Sequence, residues 1–255
     1  MSSQFSCYKI KFYQIIMNFI ESSQQISVGV LALQGAFQEH IHMLQSIPKV
    51  SSVLPVRTAE QLGSIDALII PGGESTTIAL VAEHSGIWEN LKEFVRQKPT
   101  WGTCAGMILL ANEANNTKKG GQKLLGGLDI KVNRNHFGSQ IDSFESLLHI
   151  SHITSSPEDP FPAVFIRAPT ISTINSLDVE ILAKLENNVD ETDASTVVAV
   201  KQGHLLATAF HPELTNDNRI HKYFVEQAIN YIATRQNGKK EISLVDGNQN
   251  IQKPT

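Results

Sequence analysis

The chain has 255 residues, 41% of them hydrophobic, and a formal net charge of −4 from 21 basic and 25 acidic side chains. That length supports one sizeable domain with a self-sufficient core, and the charge balance excludes the basic footprint that nucleic-acid binding needs. Two cysteines, Cys7 and Cys104, exclude a disulfide framework and fit a reducing, cytoplasmic setting, and no run reaches the roughly 18 apolar residues of a membrane helix.

Residues 1–25 read as a poorly ordered extension. Lys9 and Lys11 precede an apolar stretch over residues 12–20, which is short for a targeting peptide and is broken by Gln14 and Asn18. Met17 is an alternative start. The folded part is expected over residues 26–235, followed by a polar tail over residues 236–255.

Residues 26–33 (ISVGVLAL) form a nearly continuous apolar run that predicts a buried parallel strand. Gln34 and Gly35 punctuate it, and Phe37, Ile41, Leu44 and Ile47 follow at helical spacing. Residues 52–57 predict a second strand, and residues 66–70 (DALII) a third that runs into the sharp turn Pro71-Gly72-Gly73. Helical segments follow over residues 76–82 and 87–97, the latter with Ile87, Leu91, Phe94 and Val95 on one face and Pro99 closing it. A short strand over residues 100–103 leads to Cys104 and a helix through Ala111. Further strands are predicted at residues 128–132, 147–153 and 163–167, a hairpin at residues 197–201 and 205–210 around Gln202-Gly203, and a last helix from Arg219 to Ala233. The alternation predicts an α/β fold: an open, mostly parallel sheet with helices on both faces, flavodoxin-like and three-layered, with additional antiparallel strands in the second half.

Three turns carry chemistry. Cys104 sits in Gly102-Thr103-Cys104-Ala105-Gly106, between a strand and a helix, which is the pattern of a nucleophile elbow. The helix behind it favours negative charge through its dipole and free amides. The alternative is a buried structural cysteine in a glycine-rich turn. His211-Pro212-Glu213 follows the apolar run 205–210. In extended chain, residues two apart point the same way, so the pair could face one site, the histidine moving protons and the carboxylate orienting its ring. Alone, a surface turn explains that tripeptide equally well. Pro71-Gly72-Gly73-Glu74-Ser75 lets backbone amides approach a reacting oxygen, with the Gly73 and Ala105 N–H groups as oxyanion donors. An ordinary strand-to-helix turn capped by Ser75 or Thr76 is compatible with that role. All three turns follow strands, and in a parallel sheet those ends share one edge. His40, His42, His84, His149, His152, His204 and His221 show no metal-like clustering and are assigned to surface or core.

These segments resemble the class I glutamine amidotransferases, and within them the glutaminase subunits of pyridoxal 5′-phosphate synthases. The resemblance rests on residues 29–35 (GVLALQG), 71–76 (PGGEST) and 102–106 (GTCAG), on Arg134-Asn135 with Phe137-Gly138, and on residues 165–169 (FIRAP) and 210–214 (FHPEL). It spans about residues 26–233, and the Gln34-Gly35, Arg134-Asn135 and 166–169 motifs are specific to the subfamily.

The resemblance implies a class I amidotransferase fold and a cofactor-free glutamine hydrolase in which Cys104, His211 and Glu213 form the triad. It places Gly73, Glu74, Ser75, Arg134, Ile166 and Arg167 at glutamine-binding positions. It also implies a synthase subunit as obligate or activating partner in a large hetero-oligomer, with ammonia passing to it through a tunnel and Gln34 as a candidate for the coupling. The family's Phe-Gly-Arg-Gln is here Phe137-Gly138-Ser139-Gln140, so the contacts of that loop are expected to differ. The alternatives are an amidotransferase subunit for another acceptor, such as imidazole glycerol phosphate synthesis, a non-catalytic regulatory subunit of the same fold, and a cysteine peptidase on a related sheet. The subfamily motifs and the intact triad argue against them.

Overall fold

The computed structural model describes residues 24–115, 121–134, 143–185 and 194–248, with side chains as far as residue 237 in the last helix. Its centre is a seven-stranded sheet. In chain order the strands and helices are β1 (Ile26–Leu31), α1 (Phe37–Gln45), β2 (Val50–Val56), α2 (Ala59–Gly63), β3 (Ala67–Ile70), α3 (Ser75–His84), α4 (Trp88–Gln97), β4 (Thr100–Thr103), α5 (Ala105–Leu110) and β5 (Ala111–Asn115). They continue with β6 (Leu128–Asn133), β7 (Ser143–Leu148), β8 (Phe161–Ile166), β9 (Thr170–Ile174), β10 (Glu180–Lys184), β11 (Val197–Gln202), β12 (Leu205–Thr208) and α6 (Arg219–Asn248).

The sheet order is β10-β11-β12-β4-β3-β1-β2. β2, β1, β3, β4 and β12 pair in parallel, while β11 and β10 close the edge antiparallel. The first connection leaves β1 in one direction, to β2, and the chain then returns to the other side of β1 for β3 and β4. This is the order reversal beside which doubly wound folds place their sites, outside the carboxyl ends of the strands. The strands that carry the three turns are buried throughout: every residue of β3, β4 and β12 is inaccessible. Central parallel strands are covered by helices on both faces, so they read as unbroken apolar runs rather than alternating ones.

Outside this sheet, β5-β6-β9 form a three-stranded sheet and β7-β8 an antiparallel pair. Phe210, just past β12, joins the pair to the core. Its ring lies 5.9 Å from that of Phe161 and 5.7 Å from that of Phe165, both on β8.

Several boundaries depart from the sequence pattern. The strand expected at residues 147–153 is β7, Ser143–Leu148. It stops where its partner begins, at the pair Leu148↔Phe161, and the apolar residues beyond it lie in a turn. β5, β9 and β10 are short and carry too little alternation to be recognised, and α2 is a single capped turn. The last helix continues past Ala233 to Asn248, so the tail is helical over residues 236–248. No proline interrupts residues 219–248, and a helix already docked along its first turns extends at low cost. Residues 1–23, including Cys7, lie outside the described residues. No described helix is long and apolar enough to cross a membrane.

Phe210→Ala should lower stability by about 3–5 kcal/mol, the usual cost of emptying a large aromatic site. Urea unfolding measures it; a loss below about 1 kcal/mol would mean that the aromatic seam does not tie β8 to the core.

Candidate active site

Cys104 follows β4 directly and adopts φ 47°, ψ −99°, a conformation costly for a residue with a side chain. Three contacts impose it. The Cys104 N–H donates to Thr208 O on β12 at 2.8 Å, and the Cys104 carbonyl accepts from Ile108 N at 3.2 Å as α5 starts. The turn also passes tightly over β3: a Cβ at Gly106 would lie 2.1 Å from Ile70 O. No residue but glycine fits there without moving the strand. The elbow expected from the sequence is thus present, and the thiol is free and buried.

His211 is delivered by the neighbouring parallel strand. After β12 the chain keeps pairing with β11 through Ala209 N to Val198 O, then His211 N donates to Val164 O on β8, both at 2.8 Å. The His-Pro-Glu segment is not extended, as the sequence pattern suggested. Pro212–Leu214 is a 3₁₀ turn. In this turn, entered through the fixed φ of Pro212, His211 Nδ1 and Glu213 Oε1 are 2.8 Å apart.

With Nδ1 engaged by the carboxylate, the other ring nitrogen is left for Cys104, which pulls on the ring's proton. Burial alone depresses the His211 pKa, but the hydrogen bonds and charges of Cys104 and Glu213 outweigh it and raise it to about 10. The third turn closes on the same ring. A Cβ at Gly72 would stand 2.3 Å from His211 Cε1, so the glycine after β3 leaves room for the imidazole.

The arrangement can hold a nucleophile, a proton carrier and an orienting carboxylate in line. The two amides expected as oxyanion donors lie in the turns after β4 and β3. Ala105 N–H is the first amide of α5 and has no intrahelical acceptor. Gly73, at φ 153°, lies in the turn after β3. Gln34 braces that turn, accepting from Glu74 N at 2.8 Å.

The other predicted residues assemble around Glu74. Arg167, held at φ 46° just after β8, pairs with Glu74 through Nη1 and Oε1 at 3.4 Å, both side chains about half exposed. Arg134, after β6, donates from Nη2 to Thr76 Oγ1 at 3.1 Å. Burial lowers the Arg134 pKa and Glu74 raises it, with burial the larger effect; its Nε is buried without a partner. Ser75 is buried and donates to Gln122 Oε1 at 3.2 Å. Ile166 ends β8, half-buried beside Arg167. Asn135 and the 137–140 segment with Ser139 lie outside the described residues.

A profile of the SNO glutamine amidotransferase family matches residues 30–230. The chain belongs to that family. It is 49% identical over 220 residues to "Probable pyridoxal 5′-phosphate synthase subunit PDX2" of Arabidopsis thaliana, covering 79% of this chain and 85% of the relative. It is 47% identical over 207 residues to "Pyridoxal 5′-phosphate synthase subunit PdxT" of Dehalococcoides mccartyi, covering 81% and 99%. Among solved structures it is similar to a "glutamine amidotransferase", with a TM-score of 0.66 and 42% identity over 79% of this chain and 98% of that one. The class I amidotransferase-like fold expected from the sequence is therefore the fold observed.

The sequence reading missed what lies behind the triad. His40 and His221, assigned there to surface or core, are wholly buried, and His40 Nε2 stands 3.3 Å from Glu213 Oε2. One signal was available: His40 falls three residues after Phe37 and four before Leu44, on the inward stripe of α1.

The raised His211 pKa has a stability consequence. The folded chain binds this proton more tightly than the unfolded chain, so the contribution is fully present below pH 6.5 and is lost as pH rises through about 10. Urea midpoints across that window should fall with pH in the wild type and fall less in Cys104→Ala, which removes one of the groups holding the proton. Equal slopes would show that the thiol and the ring are not coupled. Gly72→Ala should displace the His211 ring and slow alkylation of Cys104 at neutral pH by about tenfold or more; an unchanged rate would show that the ring does not activate the thiol.

Proposed function

We propose that this chain hydrolyses L-glutamine to glutamate and ammonia, and that the ammonia goes to a pyridoxal 5′-phosphate synthase subunit. The observation that carries the reading is the His211 ring, 2.8 Å from Glu213 and with its pKa raised by Cys104, at the shared edge of β3, β4 and β12. The relatives named as synthase subunits supply the acceptor.

In this mechanism the Cys104 sulfur attacks the side-chain carbonyl carbon of glutamine after its proton has passed to His211. The carbonyl π pair moves to oxygen, and the Gly73 and Ala105 amides stabilise the oxyanion. Collapse of the tetrahedral species expels the amide nitrogen, which takes the proton from His211 and leaves as ammonia. The glutamyl thioester is then hydrolysed by water, whose proton His211 accepts and returns to the sulfur. Glu213 holds the ring with Nδ1–H towards itself throughout.

The α-amino acid end of glutamine fits the charged group beside this centre. Glu74 and Arg167 neutralise each other without ligand, and a zwitterion offers each a replacement partner: ammonium for Glu74, carboxylate for an arginine. The partnerless Nε of Arg134 is a donor that a bound carboxylate or carbonyl satisfies. Gly73, Ser75 and Ile166 complete the wall. Residues 26–235 constitute the amidotransferase domain. The free thiol suits a cytoplasmic site of action, and the synthase subunit acts as activating partner in a hetero-oligomer.

Cys104→Ala should abolish glutamine hydrolysis in the presence of the synthase subunit while binding to that subunit persists. A glutaminase assay with and without the partner, alongside sedimentation of the mixture, checks both. Residual hydrolysis at the wild-type rate in Cys104→Ala would sink the mechanism, and a wild-type chain that neither binds the synthase nor releases ammonia would sink the assignment.

A further inference from the structure

Glu213 has two carboxylate oxygens, and the triad uses one. Oε1 takes the His211 Nδ1–H bond at 2.8 Å. Oε2 is buried, makes no well-angled hydrogen bond, and faces His40 Nε2 at 3.3 Å. His40 comes from α1, on the far side of the sheet edge in sequence. Its side chain is fully buried, and its Nε2 is also 3.3 Å from Thr103 Oγ1, the residue before Cys104. Its Nδ1 lies 3.0 Å from His221 Nε2, on α6. Both rings pack edge-on to Trp101, with centroids at 5.6 Å and 4.9 Å. Trp101 is itself tied to β12 by Nε1–H to Thr208 Oγ1 at 3.2 Å.

We propose that His40 is a positioning residue for the triad: it presents Nε2–H to the second oxygen of Glu213 and is itself held in that tautomer by His221. The inference rests on the glutaminase reading above for its kinetic consequence, though not for its geometry.

The tautomers follow from counting donors. If His221 Nε2–H donates to His40 Nδ1, then His40 carries its proton on Nε2, shared between Thr103 Oγ1 and Glu213 Oε2. His221 Nδ1 is then an idle acceptor. In the opposite arrangement His40 Nδ1–H donates to His221 Nε2. His221 would then bear a buried N–H at Nδ1, where no acceptor is found, and the His40 lone pair would face the carboxylate. A buried orphaned N–H is the rarer and costlier defect, and two facing lone pairs repel. The first arrangement wins on both counts.

Both rings stay neutral. Burial, then His221 and His211, hold the His40 pKa well below its ordinary value, and burial holds His221 at about 3 against a small opposing pull from Asp217. The chain of contacts therefore has one direction, from His221 through His40 and Glu213 to His211, and it leaves the other nitrogen of His211 for Cys104. With both oxygens engaged, the carboxylate cannot rotate away from the ring it orients.

The test uses the full chain assayed with the synthase subunit. His40→Leu should lower kcat for glutamine hydrolysis by about 10- to 100-fold, the range for losing a hydrogen bond to a charged group, with KM changed less than about twofold. His40→Gln, whose amide N–H reaches the place of Nε2–H, should recover most of kcat. Wild-type kcat in the leucine variant, or equal losses in both variants, would overturn the proposal; the second result would mark a packing role. Nitrogen-15 NMR of histidine-labelled wild-type chain reads the tautomers without any variant. Protonated Nε2 on both His40 and His221 is expected, and Nδ1–H on His40 would overturn it. A wild-type complex that releases no ammonia would overturn the glutaminase reading instead, and the tautomers would then decide the proposal alone.

Discussion

The contact of the buried His211 ring with the buried Glu213 carboxylate, at 2.8 Å, is the interaction on which the rest of this site depends. Removing a charged ring from water is unfavourable, and burial here depresses the His211 pKa. The compensation has to come from groups at hydrogen-bond distance, because interactions fall off steeply beyond it. Glu213 stands at that distance, 2.8 Å, and Cys104 also raises the His211 pKa. Each is brought by a different feature: Glu213 by a 3₁₀ turn two residues away, Cys104 by the end of the adjacent strand. Neither could be displaced by a few ångströms and still serve, so the register of β4 against β12, with Thr103 paired to Thr208, becomes a chemical constraint as much as a structural one.

That constraint explains why the tightest places in the fold are at the site. Gly106 passes over the carbonyl of Ile70, and Gly72 leaves the His211 ring its space. The backbone at Cys104 is held in an unfavourable conformation by hydrogen bonds to β12 and within α5. Local strain of about 1–3 kcal/mol persists only where surrounding structure over-determines it. Here that structure is the unbroken buried core of β3, β4 and β12, on which Phe210 also packs.

What the sequence displayed and what it concealed divide along one line. The parallel half was legible because its strands are fully buried runs separated by helices of regular period, and because its turns are marked by glycine and proline: ALII before Pro71-Gly72-Gly73, TWGT before Cys104. The second half was less legible. β7 alternates weakly, with Leu147 exposed just before its buried last residue, so the apolar residues run on past its true end. β5 reads ANEAN, and only pairing with β6 makes it a strand. The candidate site was visible as three turns, yet the conformation of one was not. His211 and Glu213 were expected to share a face of extended chain, whereas they meet across a 3₁₀ turn, 2.8 Å apart. The pattern names the residues, and the tertiary contacts at Val164 and Val198 set the path.

The buried histidines were concealed for a related reason. A histidine on the inward face of α1 is ambiguous until its partners are known, and those partners lie 63, 173 and 181 residues away, at Thr103, Glu213 and His221. A polar ring in a core costs free energy unless its nitrogens are matched. An apolar residue at position 40 would avoid that cost, but it would leave the second oxygen of Glu213 facing hydrocarbon. That oxygen would then be buried with no polar group facing it, at a cost in free energy. The polar pocket behind Glu213 therefore bears on how that carboxylate meets the His211 ring. In that sense the site extends inward from Cys104 as far as α6, and its innermost members touch no substrate.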